Sequence, residues 1–228
     1  MRNFLPDPIY DSIAAHLRAI GNAAHDSWES GEADEDTLTG YLGSQLERPW
    51  SVPVEFNGET WKWRVKHKKF RGRGRGAFEK LSGADGIFQI EVDSPRAIPI
   101  SQKGILYQAK KGDIRRGAAE KKQITRMEDM APGASAIVTY DRGRYEGVGS
   151  VPYLQENRRD LIFSRDGPAQ LGDFLADTFL SCKSGRNGLY YDANRKILVV
   201  PDLVGGAEHI PLEIGHRVVI QAYKEALY

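Results

Sequence analysis

Ser82-Gly-Ala-Asp-Gly-Ile-Phe-Gln-Ile-Glu-Val92, followed after a short connection by Gly104-Ile-Leu-Tyr-Gln-Ala-Lys110, is the stretch from which the rest of the chain can be organised. Ser82 to Gly86 has the small and acidic residues of a turn. The two apolar runs that follow have the length and bounding residues of strands. Residues two apart on a strand project to one face, so Gln108 and Lys110 point together. Asp85, at the mouth of the preceding strand, reaches the same patch if the two strands pair as neighbours.

Downstream, a helix is expected from about Ala118 to Met130 and a strand from Ala136 to Tyr140. Upstream, Val52 to Val65 reads as strands, with Trp61, Trp63 and Val65 inward and Lys62, Arg64 and Lys66 forming a basic outer face. Ile9, Ile13, Leu17 and Ile20 recur at helical spacing over 8–28, and Leu38, Leu42 and Leu46 do so over about 34–47. Glu35 falls at the start of that second inward stripe, and Asp36 lies about 100° further round. Helix, a meander of three strands, crossover helix and strand imply an α/β domain with a mixed sheet flanked by helices. The last third reads as a helix over about 168–181, a hairpin around Asp192 to Arg195 and a final helix over about 215–227. One domain over 1–228 is expected, with a core of about 30–145 and a C-terminal elaboration of about 146–228.

The 228 residues are 40% hydrophobic and 28% charged, ordinary values for a globular chain and unlike a disordered one. No apolar run approaches the roughly 18 residues of a membrane span. Pro6, Asp7, Pro8 and Asp11 interrupt the stretch where an export signal would be apolar, so a cytoplasmic location is expected. One cysteine, Cys182, excludes a disulfide framework. Net charge is only +1, yet eight basic residues and no acid lie between Trp61 and Arg75. Six acids lie between Asp26 and Asp36. Such segregation points to a polyanion on one surface.

An acid, an amide oxygen and a lysine on adjacent strands suit metal-assisted phosphodiester hydrolysis. Carboxylate and amide oxygens are ligands for Mg2+, for which Mn2+ can substitute, and lysine can orient water or offset charge in the transition state. Asp85 followed by Gln108-Ala-Lys110 resembles the PD-(D/E)xK nuclease superfamily in its Mrr-like variant, where glutamine replaces the second acid. Gly83-Ala-Asp-Gly86, Ile105 to Lys110, Gln123-Ile-Thr-Arg-Met127 and Glu35-Asp-Thr-Leu-Thr39 resemble nuclease domains of bacterial anti-phage systems. Leu171 to Asp177 and Phe179 to Cys182 are more weakly similar.

That resemblance implies a restriction-endonuclease-like fold and a DNA endonuclease acting as an antiviral effector. Asp85, Glu35 and Gln108 would bind the metal, Lys110 would serve catalysis and Gln123 would support the site. A sensor or activator protein, or homo-oligomerisation, would supply the signal. Gln108 departs from the commoner acid, leaving two carboxylates and the number of metal ions open. An RNA-cleaving relative and a non-catalytic nucleic-acid-binding protein are the other readings.

Each residue also has a plainer role. Asp85 can be a turn residue, Glu35 a first-turn acid favoured by its helix dipole, Lys110 a surface lysine and Gln123 a polar helix residue. Asp36 is a second choice to Glu35, and Glu79 is expected in solvent. Glu91, alternating with Ile90 and Val92, is expected to face solvent. Lys68, Lys69, Arg71, Arg73 and Arg75, the last three in a glycine-spaced loop, suit phosphate contact without base readout. Trp61 and Trp63 are expected in the core. His67 is the histidine placed to meet phosphate; His16, His25, His209 and His216 read as structural.

Overall fold

The computed structural model describes residues 1–23, 35–70, 81–94, 99–112, 118–141, 144–150, 169–202 and 206–225. Two helices precede the sheet, α1 (Asp7–Ala23) and α2 (Glu35–Leu46), and α2 buries Leu38, Leu42 and Leu46 as their spacing requires. The strands β1 (Val54–Phe56) and β2 (Glu59–Lys69) follow, then β3 (Gly86–Asp93) and β4 (Pro99–Lys111). Helix α3 (Ala118–Met130) crosses over to β5 (Ser135–Asp141), which is followed by β6 (Arg144–Gly149) and β7 (Ala169–Gln170). A further helix, α4, begins over Leu171–Asp173 and continues in wider π turns over Phe174–Leu180. The chain ends in β8 (Arg186–Asn187), β9 (Tyr190–Asp192), β10 (Ile197–Pro201), β11 (Ala207–Pro211) and β12 (His216–Lys224).

The main sheet runs β1-β2-β12-β3-β4-β5-β6-β7, with β8 also on β4; β11-β10-β9 form a small second sheet. β3 and β4 are antiparallel neighbours and β4 and β5 are parallel, as expected. Two expectations are corrected. The expected helix over 215–227 is the strand β12, in which Val218, Ile220 and Ala222 face one way and Arg217 and Gln221 the other. That period of two was masked by the good helix formers Gln221 to Leu227. Nor is there a meander of three strands. β12 lies between β2 and β3, antiparallel to the first and parallel to the second. The C-terminal strand is thus in the middle of the sheet rather than an appendage to it.

Each face of the sheet carries its own core. On one, Trp61, Trp63, Val65, Phe88, Ile90, Tyr107, Val218 and Ile220 pack under α1, α2 and α4. On the other, Ile87, Leu106 and Ile137 pack under α3 and the small sheet, through Ile124, Met127, Tyr191 and Leu198. β3 is buried along nearly its whole length because it has a strand on each side and cover on both faces. Among the described residues, no helix is long and apolar enough to cross a membrane.

Candidate active site

Asp85 is held by its backbone before its side chain does anything. Its N–H donates to Tyr107 O at 2.8 Å on β4, and its carbonyl accepts from His216 N at 3.1 Å on β12. The turn before it needs glycine at 83, where φ is +75° and an added Cβ would lie 2.1 Å from Gln123 O on α3. Glycine at 86 is also required, since a Cβ there would lie 2.5 Å from His216 O. Gly83-Ala-Asp-Gly86 therefore seats the acid between three elements, β4, β12 and α3.

Across β3 and β4, Gly86 pairs with Tyr107, so Asp85 falls beside Gln108. Gln108 Nε2 and Ala109 N both donate to Asp85 Oδ2, at 2.6 and 2.7 Å. These bonds set the amide orientation, because the reversed amide would put two oxygens together. Gln108 is 2% exposed, and its Oε1 has no hydrogen-bond partner among the described residues. A buried carbonyl oxygen left bare is costly, and a cation is one group that would satisfy it.

Glu35 comes to the same end of the sheet from the first turn of α2. Its Oε1 accepts from Lys111 N at 3.0 Å, and its Oε2 lies 3.8 Å from Lys110 Nζ. Lys110 is largely shielded, its side chain 17% exposed. The structure thus brings Asp85 to Gln108 across neighbouring strands and Glu35, from α2, to Lys110. Asp85, Glu35 and Gln108 Oε1 are the oxygens that could hold a divalent cation there. Among the described residues, no three His, Cys, Asp or Glu side chains form a group that could hold a metal ion. Gln123 lies on α3 with its backbone against Gly83, partly buried.

Asp36 is engaged elsewhere. Its Oδ2 accepts from Lys69 Nζ at 2.6 Å and its Oδ1 from His216 Nε2 at 2.8 Å. Burial acts to raise its pKa, but the Lys69 and His216 donors outweigh that and hold the carboxyl below its ordinary value. His216 Nδ1 is then the acceptor for His67 Nε2 at 3.2 Å, and the two rings lie edge to edge, 6° from parallel. Burial lowers the pKa of both imidazoles, and that of His67, next to His216, falls to about 4. The result is a directed chain, His67 to His216 to Asp36, joining β2, β12 and α2.

Sequence reasoning missed this chain, although one signal was available. Helix α2 carries two glycines, Gly40 and Gly43, at a cost of about 1 kcal/mol each relative to alanine. A Cβ at Gly43 would lie 2.4 Å from the His67 ring, so this glycine makes room for the imidazole.

The expectation for Glu91 is corrected. It is 9% exposed and accepts from Gln89 Nε2, Arg217 NH2 and Gln221 Nε2. β12 brought Arg217 and Gln221 alongside it, and Gln89 joins from β3 itself, so an apparent surface alternation became a buried polar ladder. Of the basic residues, Lys68 is exposed and lies over the Phe70 ring, whereas Lys69 pairs with Asp36. Arg71, Arg73, Arg75, Glu79 and His25 lie outside the described residues. His16 bonds Leu46 O and abuts Trp63, a structural role, and Trp61 and Trp63 are in the core. No protein-family model, curated protein or solved structure matches the chain.

Proposed function

We propose that the chain is a metal-dependent deoxyribonuclease with a restriction-endonuclease-like core, cutting phosphodiester bonds internally. The observation that carries this reading is Gln108 Oε1, buried without a partner among the described residues beside Asp85, at the end of the sheet where Glu35 and Lys110 also meet. Asp85, Glu35 and Gln108 Oε1 would hold Mg2+ or Mn2+. Such an ion supplies an acidified water and offsets charge on the phosphate oxygens. Lys110, shielded from solvent and paired with Glu35, would orient the attacking water and neutralise charge as it develops. Gln123, packed behind Gly83, would support the Asp85 turn, and Lys68, with the arginines at 71, 73 and 75, would hold DNA phosphates. As an effector of bacterial antiviral defence, the protein would work in the cytoplasm and take its signal from a sensor protein or from self-assembly.

The test is digestion of supercoiled plasmid with Mg2+, Mn2+ or EDTA by wild type, Asp85→Ala and Lys110→Ala. Metal-dependent cutting that both variants lose supports the reading; cutting retained at the wild-type rate by either refutes the site. One observation favours a second reading, a nucleic-acid-binding protein without catalysis: Asp85 Oδ2 already accepts two N–H donors. DNA binding with no cutting under any metal would select it. Digestion of RNA in parallel separates the RNA-cleaving alternative.

A further inference from the structure

The register of the sheet places part of the basic tract on the same face as the candidate site. Lys68, Lys66, Arg64 and Lys62 of β2 stand opposite Arg217, Val219, Gln221 and Tyr223 of β12. Arg217 in turn stands opposite Ile87 of β3, and Ile87 opposite Leu106 of β4. Leu106, Gln108 and Lys110 share a face by alternation. Lys68 is thus in a cross-strand row next to that of Asp85 and Gln108, and the lysines behind it lead away along β2. Two interstrand spacings, about 10 Å, separate Lys68 from the start of β3. Lys69 points to the opposite face and to Asp36.

Charge is not evenly compensated along this row. At the far end Lys62 is paired with Glu225 and Thr60 bonds Glu55. Next, Arg64 donates to the neutral Gln221, and Arg217 is held by Glu91. Nearest the site, Lys66 and Lys68 are exposed, and no carboxylate among the described residues pairs with either. Lys68 stands directly opposite Arg217, whose charge Glu91 already offsets, so the uncompensated charge here is that of the lysines. Positive charge therefore increases toward Asp85.

We propose that the Arg64-Lys66-Lys68 row is a track for the phosphate backbone of duplex DNA leading to the Asp85 end of the sheet. Same-face residues on a strand repeat every ~6.7 Å, so Lys62 to Lys68 span about 20 Å, a straight and rigid line. A duplex offers an equally rigid array of phosphates, one per ~3.4 Å of helix axis on each strand. A single strand would instead call for open aromatic platforms. The aromatic group here is engaged: Arg64 lies 4.2 Å over the Trp50 ring, and Tyr223 meets it edge-on. The identity of the polyanion rests on the nuclease reading; its location rests on the register and the charges.

The experiment is fluorescence anisotropy of a labelled 20-base-pair DNA duplex in EDTA, titrated across salt, with wild type, Lys66→Ala/Lys68→Ala and the remote control Lys183→Ala. Thermal melting confirms that each variant is folded. The double variant should bind at least tenfold more weakly at about 0.1 M salt, with the slope of log K against log salt shallower by about 1.8, or ~0.9 for each phosphate that the protein no longer neutralises. Lys183→Ala should match wild type. An unchanged slope in the double variant, no duplex binding by wild type, or a loss confined to single-stranded DNA or RNA would overturn the proposal. Because no cutting is involved, the two readings fail separately. Lys110-dependent cutting with an unchanged slope sinks only the track, whereas the slope change without cutting sinks only the nuclease.

Discussion

Acidifying the solution to about pH 5 should weaken the fold through His67. In the folded protein this imidazole titrates at about 4 instead of 6.5 because it is buried against β12, next to His216. The unfolded chain takes up the proton below pH 6.5 and the folded chain does not, so stability is complete above about 6.5 and falls as pH drops toward 4. At 1.36 kcal/mol per pH unit, the loss is about 2 kcal/mol at pH 5 and about 3 kcal/mol once both states are protonated. His216 and His16 are also lowered by burial and act in the same direction. Asp36 does not enter this window: its carboxyl is depressed, so its contribution is lost only as pH falls below its unfolded value of 3.8. The assay is urea unfolding at pH 7.5 and pH 5 for wild type and His67→Gln. The variant should lose about 2 kcal/mol less than wild type over that interval, or about 4–8 °C less in Tm for a chain of this size. Equal losses in the two proteins would refute the idea that the His67 to His216 bond keeps a neutral imidazole in the core.

Helix α2 offers a paired check. Gly43→Ala should destabilise by about 2 kcal/mol, as its Cβ would enter the His67 ring at 2.4 Å; Gly40→Ala meets nothing closer than His216 Cε1 at 4.0 Å and should stabilise by up to ~1 kcal/mol. Denaturant midpoints of the two variants would show opposite signs, and the same sign for both would be evidence against the packing. Glu91→Ala should cost about 3 kcal/mol by leaving Arg217 without its carboxylate, and Arg217→Met in that background should recover part of it; a loss below ~0.5 kcal/mol would mean that the ladder is solvated. Lys110→Ala should abolish plasmid cutting while leaving duplex affinity in EDTA within about twofold of wild type.

Much of this architecture was legible locally. The spacing of Leu38, Leu42 and Leu46 identifies α2, and the apolar runs after Gly86 and Gly104 identify β3 and β4. Asp85 and Gln108 could be placed together because two strands joined by a short connection tend to pair, and they do, at 2.6 Å. The sequence favours Glu35, at the start of the inward stripe, over Asp36, about 100° further round. Tertiary structure separates them: Glu35 turns to β4 and Asp36 to β2 and β12.

What the sequence determined by itself is what sterics and one-sided burial express within a dozen residues: the helices, the buried strands, the Gly83-Ala-Asp-Gly86 turn and the face shared by Gln108 and Lys110. What only the tertiary structure decided is who stands next to whom. β12 was open to misreading because its partners are β2 and β3, far earlier in the chain. Its insertion buries Glu91, bonds His216 to His67 across 149 positions and brings His216 to Asp36 across 180. Such contacts leave little local trace because a polar side chain at a strand position is compatible with either water or a distant partner. The choice between them is made when the sheet closes and the unpaired alternative carries the full cost of desolvation.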